Sequence, residues 1–284
     1  MLSAKSRQSL WSRSFVTRIV QIADVHFGSE CPIALRAFED RLPDLQPDGI
    51  IVSGDLTQNG KRSEFREATT WLEKLQIPSF QVPGNHDTPM FDLYARMTSP
   101  FSRYEKYFGP TCFANEIGEL AVGGLNTSRG WQVRRNWAEG SVNLDDLREI
   151  LDRTTNLKKE SDAAELSCLV CHHPFHSPPG AALQTRTRRG RRASEILAKS
   201  PVNLLLCGHV HTPTANIWRH EAGAYLCLTA GTLSTRRRDW PVSFNLIDVT
   251  ADQIHVQQYD LVNTEFDCTV ERRWSSDDLE PMPA

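Results

Sequence analysis

Over residues 16–82 strand-length apolar runs alternate with amphipathic helical patterns, and from residue 203 onward strands follow one another with almost no helix between them. Residues 16–23, 49–53 and 79–82 read as buried strands. Pro32 opens a helix with Ile33, Leu35, Phe38 and Leu42 at near-helical spacing. Phe65, Ala68, Trp71, Leu72 and Leu75 share one face of a second helix over 63–75, which Pro78 stops. The middle predicts short helices near 91–97 and 102–107, strands near 112–115 and 120–125, a helix over 144–153 capped by Asn143, and a strand over 165–171. A polar loop, 174–189, precedes a helix through Glu195 and Ile196. Strands over 203–207, 214–219, 224–229, 242–249 and 253–259 follow. Helices between the early strands and bare strands late predict an α/β fold of two facing sheets with helices outside, one domain over 16–272.

A chain of 284 residues with 39% hydrophobic content can bury a sizeable core. No apolar stretch approaches the ~18 residues of a membrane span. A formal charge of −3 argues against a surface built wholly for nucleic acid. The basic residues are nevertheless skewed, 25 Arg to seven Lys, and Arg suits phosphate and carboxylate. Seven cysteines, several inside apolar runs, read as reduced core thiols, so a cytoplasmic location is expected. Cys168 and Cys171 lie on one strand, where residues three apart face opposite ways, so they are not expected to form a redox pair. Residues 1–15 read as a frayed, basic N-terminus and 273–284 as a loose acidic tail.

The polar motifs fall just after the predicted strands: Asp24 and His26, Gly54-Asp55, Gly84-Asn85-His86-Asp87, His172-His173, and Gly208-His209 with His211. In open α/β sheets ligands bind outside the carboxyl ends of the strands, so five strand ends would deliver Asp, His and Asn to one place. A carboxylate such as Asp55 can bridge two metal ions about 3.5–4 Å apart, the spacing that clamps a phosphoryl group. Asp24 and the histidines would complete two mixed nitrogen and oxygen spheres. Two divalent ions give about +4 against about −3 from two carboxylates and a hydroxide, leaving room for an anionic phosphate. Glycines 54, 84 and 208 directly precede ligand candidates, consistent with tight turns. His86 follows Asn85 and is free to give a proton to a leaving oxygen, with Asp87 to orient it.

These motifs together resemble the calcineurin-like metallophosphoesterases over roughly residues 16–260. The resemblance implies a four-layer αββα sandwich of two mixed sheets. It implies one metal on Asp24, His26, Asp55 and His211, a second on Asp55, Asn85, His172 and His209, and His86 as the catalytic histidine. Manganese, iron or zinc would serve, divalent or trivalent; ligand chemistry alone does not choose among them. Some relatives are binding scaffolds that have lost ligands, but this chain keeps all seven. Relatives are often homo-oligomers.

Purple acid phosphatases carry a Tyr ligand three residues after the bridging Asp, where this chain has Gln58. Protein phosphatases resemble Arg-Gly-Asn-His-Glu, whereas here Pro83 precedes Gly84 and Asp87 follows His86. The stretch from Gly54 to Gly60, with His172-His173-Pro174, looks most like the class III cyclic-nucleotide and glycerophosphodiester phosphodiesterases. The expected activity is therefore hydrolysis of a small phosphodiester by a metal-activated hydroxide. A phosphomonoesterase, a nuclease and a nucleotide-lipid or nucleotide-sugar pyrophosphatase are the alternatives on the same two metals. Arginines cluster at 134–135, 186–192 and 236–238. Among them Arg134, Arg188 and Arg189, with Trp131 and His173, are candidate substrate contacts; the Arg loops could meet a second anionic group, an anionic lipid or nucleic acid.

Overall fold

The computed structural model describes residues 16–133, 136–160 and 167–279. One sheet contains β1 (Thr17–Ile22), β2 (Gly49–Val52), β3 (Ser79–Gln81), β10 (Ser243–Val249), β11 (Gln253–Val262) and β12 (Glu265–Ser275), in the order β12-β11-β10-β1-β2-β3. The other contains β4 (Phe113–Ile117), β5 (Leu120–Leu125), β6 (Ser167–Cys171), β7 (Leu204–Cys207), β8 (Thr214–His220) and β9 (Gly223–Thr229), in the order β4-β5-β6-β7-β9-β8. Both are mixed: β1, β2 and β3 run parallel, as do β5, β6, β7 and β9.

Strand alternation assigns each residue a layer. Ile19, Ile51 and Ile247 of the first sheet meet Val122, Val170, Leu206 and Leu228 of the second in a shared interior. Val20, Ile22, Ile50 and Val52 face the opposite way, against Phe38 of α1 (Pro32–Leu45) and Trp71 of α2 (Arg62–Leu75). Leu169, Leu205 and Tyr225 likewise pack on Leu147 and Ile150 of α5 (Leu144–Glu160) and Leu197 of α6 (Gly190–Ala198). The result is the four-layer αββα sandwich. Two short helices, α3 (Leu93–Thr98) and α4 (Ser102–Phe108), fill the crossover between β3 and β4.

The sequence reading fails mainly at the C-terminal end. Residues 265–275, unassigned in sequence and partly given to a loose tail, form β12 antiparallel to β11. A 3-10 turn, Ser276–Leu279, follows and buries Leu279 in the inter-sheet core. The tail expected from 273 is therefore ordered to 279. Strand β12 is an edge strand carrying Glu265, Asp267, Glu271, Arg272 and Arg273, charges that blunt an edge and erase the apolar run by which strands are recognised. Helix α5 also extends to Glu160, past its expected end at 153. The expected frayed segment, 1–15, and residues 280–284 lie outside the described residues.

Candidate metal centre and its cavity

Because the motif-bearing strands run parallel within each sheet, their carboxyl ends lie at one edge of the sandwich. Adjacent loops are tied through the backbone: Asp24 N donates to Gly54 O at 2.9 Å, His26 N to Asp55 O at 3.0 Å, and Gly208 N to His172 O at 3.0 Å. Ties also cross between the sheets. His209 N donates to Asp24 Oδ2 at 2.9 Å, and Gln21 Nε2, fully buried, donates to Cys207 O at 3.0 Å.

The close approach has a backbone signature. Asp24, His26, Asp55, His209 and His211 all adopt positive φ, between 52° and 69°. This left-handed region is uncommon outside glycine and costs roughly 1–3 kcal/mol per residue, so it persists only where surrounding contacts enforce it. Gly54, at φ +91°, leaves no room for a side chain, since a Cβ there would lie 2.5 Å from the His172 ring. At Gly84 a Cβ would overlap the Asp55 carboxylate.

Ligand-capable atoms then converge. Asp24 Oδ1 lies 3.0 Å from His211 Nε2 and 3.7 Å from His26 Nε2. Asp55 Oδ2 lies 3.3 Å from His172 Nε2 and 3.8 Å from His26 Nε2. Donor bookkeeping fixes two tautomers, because a carbonyl can only accept. His172 Nδ1 donates to Ser53 O at 2.8 Å and His211 Nδ1 to Arg236 O at 2.6 Å, so Nε2 of each is directed to the cluster. That is how metal-ligating histidines are oriented. Asn85 Oδ1 is buried without a hydrogen bond, and Asp24 Oδ1 and His172 Nε2, buried too, meet no partner but the facing His211 and Asp55, a cost that a bound cation would relieve. The donor set, imidazole nitrogens with carboxylate and amide oxygens, fits manganese, iron or zinc. Asp24, His26 and His211 form one candidate group, Asp24, Asp55 and His172 another.

Without a cation the charges balance in pairs. Burial alone would raise Asp24 and Asp55, but His211 beside the first and His172 beside the second hold both carboxyls below the usual range. Burial would lower the two imidazoles, yet their carboxylates lift His211 upward and His172 to about 10. His26 and His173 are driven by burial down to about 3, and His209 well below its ordinary value.

His86 lies one residue beyond Asn85 and lines a cavity of about 300 Å³ with Asp55, Asn85, His209 and His211. Its Nδ1 donates to Gln58 O at 2.7 Å, and its Nε2 accepts from Arg236 Nη1 at 2.9 Å. Asp87 does not orient it. This fully buried carboxylate accepts from Gly84 N at 2.8 Å, Leu56 N at 3.3 Å, Thr57 N at 2.8 Å and Thr57 Oγ1 at 2.9 Å, clamping the β2 and β3 loops together. Burial and then the nearby Asp55 push it up to about 7. The structure thus gives Asp87 hydrogen bonds to these loops and none to the His86 ring that it was expected to orient.

The expected substrate contacts shift as well. His173 is buried with both ring nitrogens spent, Nε2 donating to Ala138 O at 2.9 Å and Nδ1 accepting from Thr127 Oγ1 at 3.0 Å. It backs the site and does not face the cavity. Arg188 and Arg189 are exposed, and Trp131 is 47% exposed; none of the three lines the cavity. Arg134 lies outside the described residues. The arginines that do line it are Arg186, Arg236 and Arg238. Gln58 and Arg236 also reach His86; Arg236 belongs to an arginine run that sequence reading marked as a candidate anion contact, whereas nothing in the sequence marked Gln58 for this place.

A two-sheet sandwich that gathers Asp, Asn and His from five strand ends around orphaned oxygen and nitrogen atoms defines a candidate metallohydrolase centre. The chain belongs to the calcineurin-like phosphoesterase family, whose model matches residues 17–213. Among curated relatives, a "Probable cyclic nucleotide phosphodiesterase" of Synechococcus is 32% identical over 80 residues, 25% of this chain and 31% of that protein. A "Probable glycerophosphodiester phosphodiesterase GpdQ" of Arcobacter nitrofigilis is 24% identical over 219 residues, 70% of this chain and 74% of that one. The fold is shared with the purple acid phosphatase PPD1 of yellow lupin, at TM-score 0.64 and 13% identity, over 93% of this chain and 54% of that chain. Among the described residues no helix is long and apolar enough to cross a membrane.

Proposed function

We propose that this protein is a metal-dependent phosphoester hydrolase with two metal ions that cleaves small phosphodiesters of the cyclic-nucleotide or glycerophosphodiester type. The observation that carries the reading is Asp55 Oδ2, buried between His172 Nε2 at 3.3 Å and His26 Nε2 at 3.8 Å, one carboxylate common to two ligand sets. Asp24, His26, Asp55 and His211 would hold one ion, and Asp55, Asn85, His172 and His209 the other. When bound, the ions supply Lewis acidity toward the phosphoryl oxygens and lower the pKa of an attacking water.

The remaining work falls to the chain. Ser53 O and Arg236 O keep His172 and His211 in the ligating tautomer. His86, its Nδ1 spent on Gln58 O, has Nε2 as the ring atom that could take up a proton for the leaving oxygen once substrate oxygens draw away the Arg236 N–H it accepts in this structure. The names of the Synechococcus and Arcobacter relatives support a diester.

The test is hydrolysis of bis(p-nitrophenyl) phosphate against p-nitrophenyl phosphate by metal-analysed protein, with manganese and with chelator. Preference for the diester, lost in chelator and in His86→Ala, is expected. Preference for the monoester would overturn the diester assignment, and turnover that survives chelation and metal depletion would overturn the metal reading.

A further inference from the structure

We infer that Arg236 is the phosphoryl-gripping residue of this site, a cation anchored beside His86 to bind non-bridging oxygens of the substrate. The inference rests on the phosphoesterase reading above and deepens it.

Arg236 is carried on the loop after β9, and that loop is pinned at successive residues. Thr232 Oγ1 donates to Asp24 O at 2.6 Å, Thr235 N and Oγ1 both donate to Ser29 O, at 3.1 and 2.9 Å, and Arg236 N donates to Ser234 Oγ at 3.2 Å. The Arg236 carbonyl accepts from His211 Nδ1. One residue thus orients a candidate ligand with its backbone and reaches the catalytic histidine with its side chain.

The side chain has no charge partner. Its Nη1 contacts His86 Nε2 at 2.9 Å, His26 Nε2 at 3.4 Å and Gln58 Oε1 at 3.5 Å, none of them a carboxylate, and among the described residues it forms no ion pair. Nε and Nη2, the edge of the guanidinium that matches two phosphate oxygens, make no hydrogen bond there. Among the described residues most exposed arginines that meet a carboxylate do so on one helix, as Arg148 does with Asp145 and Arg192 with Glu195. Arg236 is instead brought, unpaired, to the rim of a cavity that Asp55, His86 and Arg238 also line, and Arg238 Nε is itself buried without a partner. A guanidinium that forms no ion pair among the described residues, beside the buried, unpartnered Nε of Arg238 at the mouth of a candidate phosphoesterase centre, is organised for an anion.

A fixed guanidinium attracts a dianion more than a monoanion. Arg236→Gln keeps the backbone carbonyl that holds His211 and removes only the cation. The experiment titrates inorganic phosphate calorimetrically into metal-loaded wild type, Arg236→Gln and Arg236→Lys, with metal content measured by elemental analysis and both nitrophenyl esters assayed. In Arg236→Gln the metal content is expected to match wild type, phosphate to bind on the order of ten- to a hundred-fold more weakly, and monoester kcat/KM to fall more than diester kcat/KM. Arg236→Lys should lie between. Phosphate affinity within twofold of wild type would overturn the inference, and so would loss of metal in Arg236→Gln, which would make the residue a support for the ligands. A wild type that neither takes up metal nor cleaves either ester would fail the phosphoesterase reading itself; a wild type active on either ester beside an indistinguishable Arg236→Gln would fail Arg236 alone.

Discussion

Asp55 Oδ1 accepts the backbone N–H of His86 at 2.8 Å while Oδ2 of the same carboxylate faces His172. One side chain at the end of β2 therefore sets the position of the β3 loop and supplies charge to the centre. Asp55→Asn separates the two duties, since an amide oxygen can still accept from His86 N but carries no charge. The variant should keep its circular dichroism spectrum, lose most bound metal by elemental analysis, and lose activity by about 10²-fold or more.

Metal uptake should expel protons. In the metal-free protein His172 is held protonated up to about 10 by Asp55, against the effect of burial, and His211 is raised by Asp24. A ligand nitrogen must shed its proton, so affinity should climb with pH through the neutral range. Titration calorimetry at pH 7.5 in buffers of different ionisation enthalpy should find net proton release on metal binding, smaller by about one proton in His172→Gln. The sign for the chelated fold is opposite: the raised His172 contributes stability fully present below 6.5, its ordinary value, and lost as pH rises through about 10.

Asp87 accepts only from donors, three backbone N–H groups and one hydroxyl. In Asp87→Asn one amide NH2 must face an N–H. Denaturant unfolding should show a loss of about 1–3 kcal/mol. Because Asp87 stays off the cavity, the pH dependence of kcat should keep its shape at temperatures where the variant is folded; a displaced limb would restore Asp87 to the catalytic machinery.

Arg188 and Arg189 stand outside the cavity that Arg186 lines. The double variant Arg188→Gln, Arg189→Gln should leave kcat/KM and its salt dependence within twofold of wild type, while Arg186→Gln should lower kcat/KM for the diester and flatten the dependence on salt. Steady-state rates across a range of ionic strength decide it.

The layers and the motif positions were legible because both depend on local pattern. Ile19 against Val20, or Leu205 against Leu206, alternate with the period of a strand, and each polar motif begins where an apolar run stops. Strand β12 was not legible, because an edge strand covered in charge looks like a solvated tail. Nor were the functions of neighbours in one motif separable: Asn85, His86 and Asp87 are consecutive, yet Asp87 turns into the protein and His86 toward the cavity.

By itself the sequence determined which residue types reach the carboxyl ends of the strands, since strand periodicity and turn chemistry operate over a few residues. Only the tertiary structure decided which of them meet. His86 and Arg236 are 150 positions apart and His209 and Asp24 are 185 apart. Contacts over such separations, several made by backbone carbonyls that every residue possesses, leave no mark on residue type; they exist because two sheets pack with their parallel strand ends at one edge.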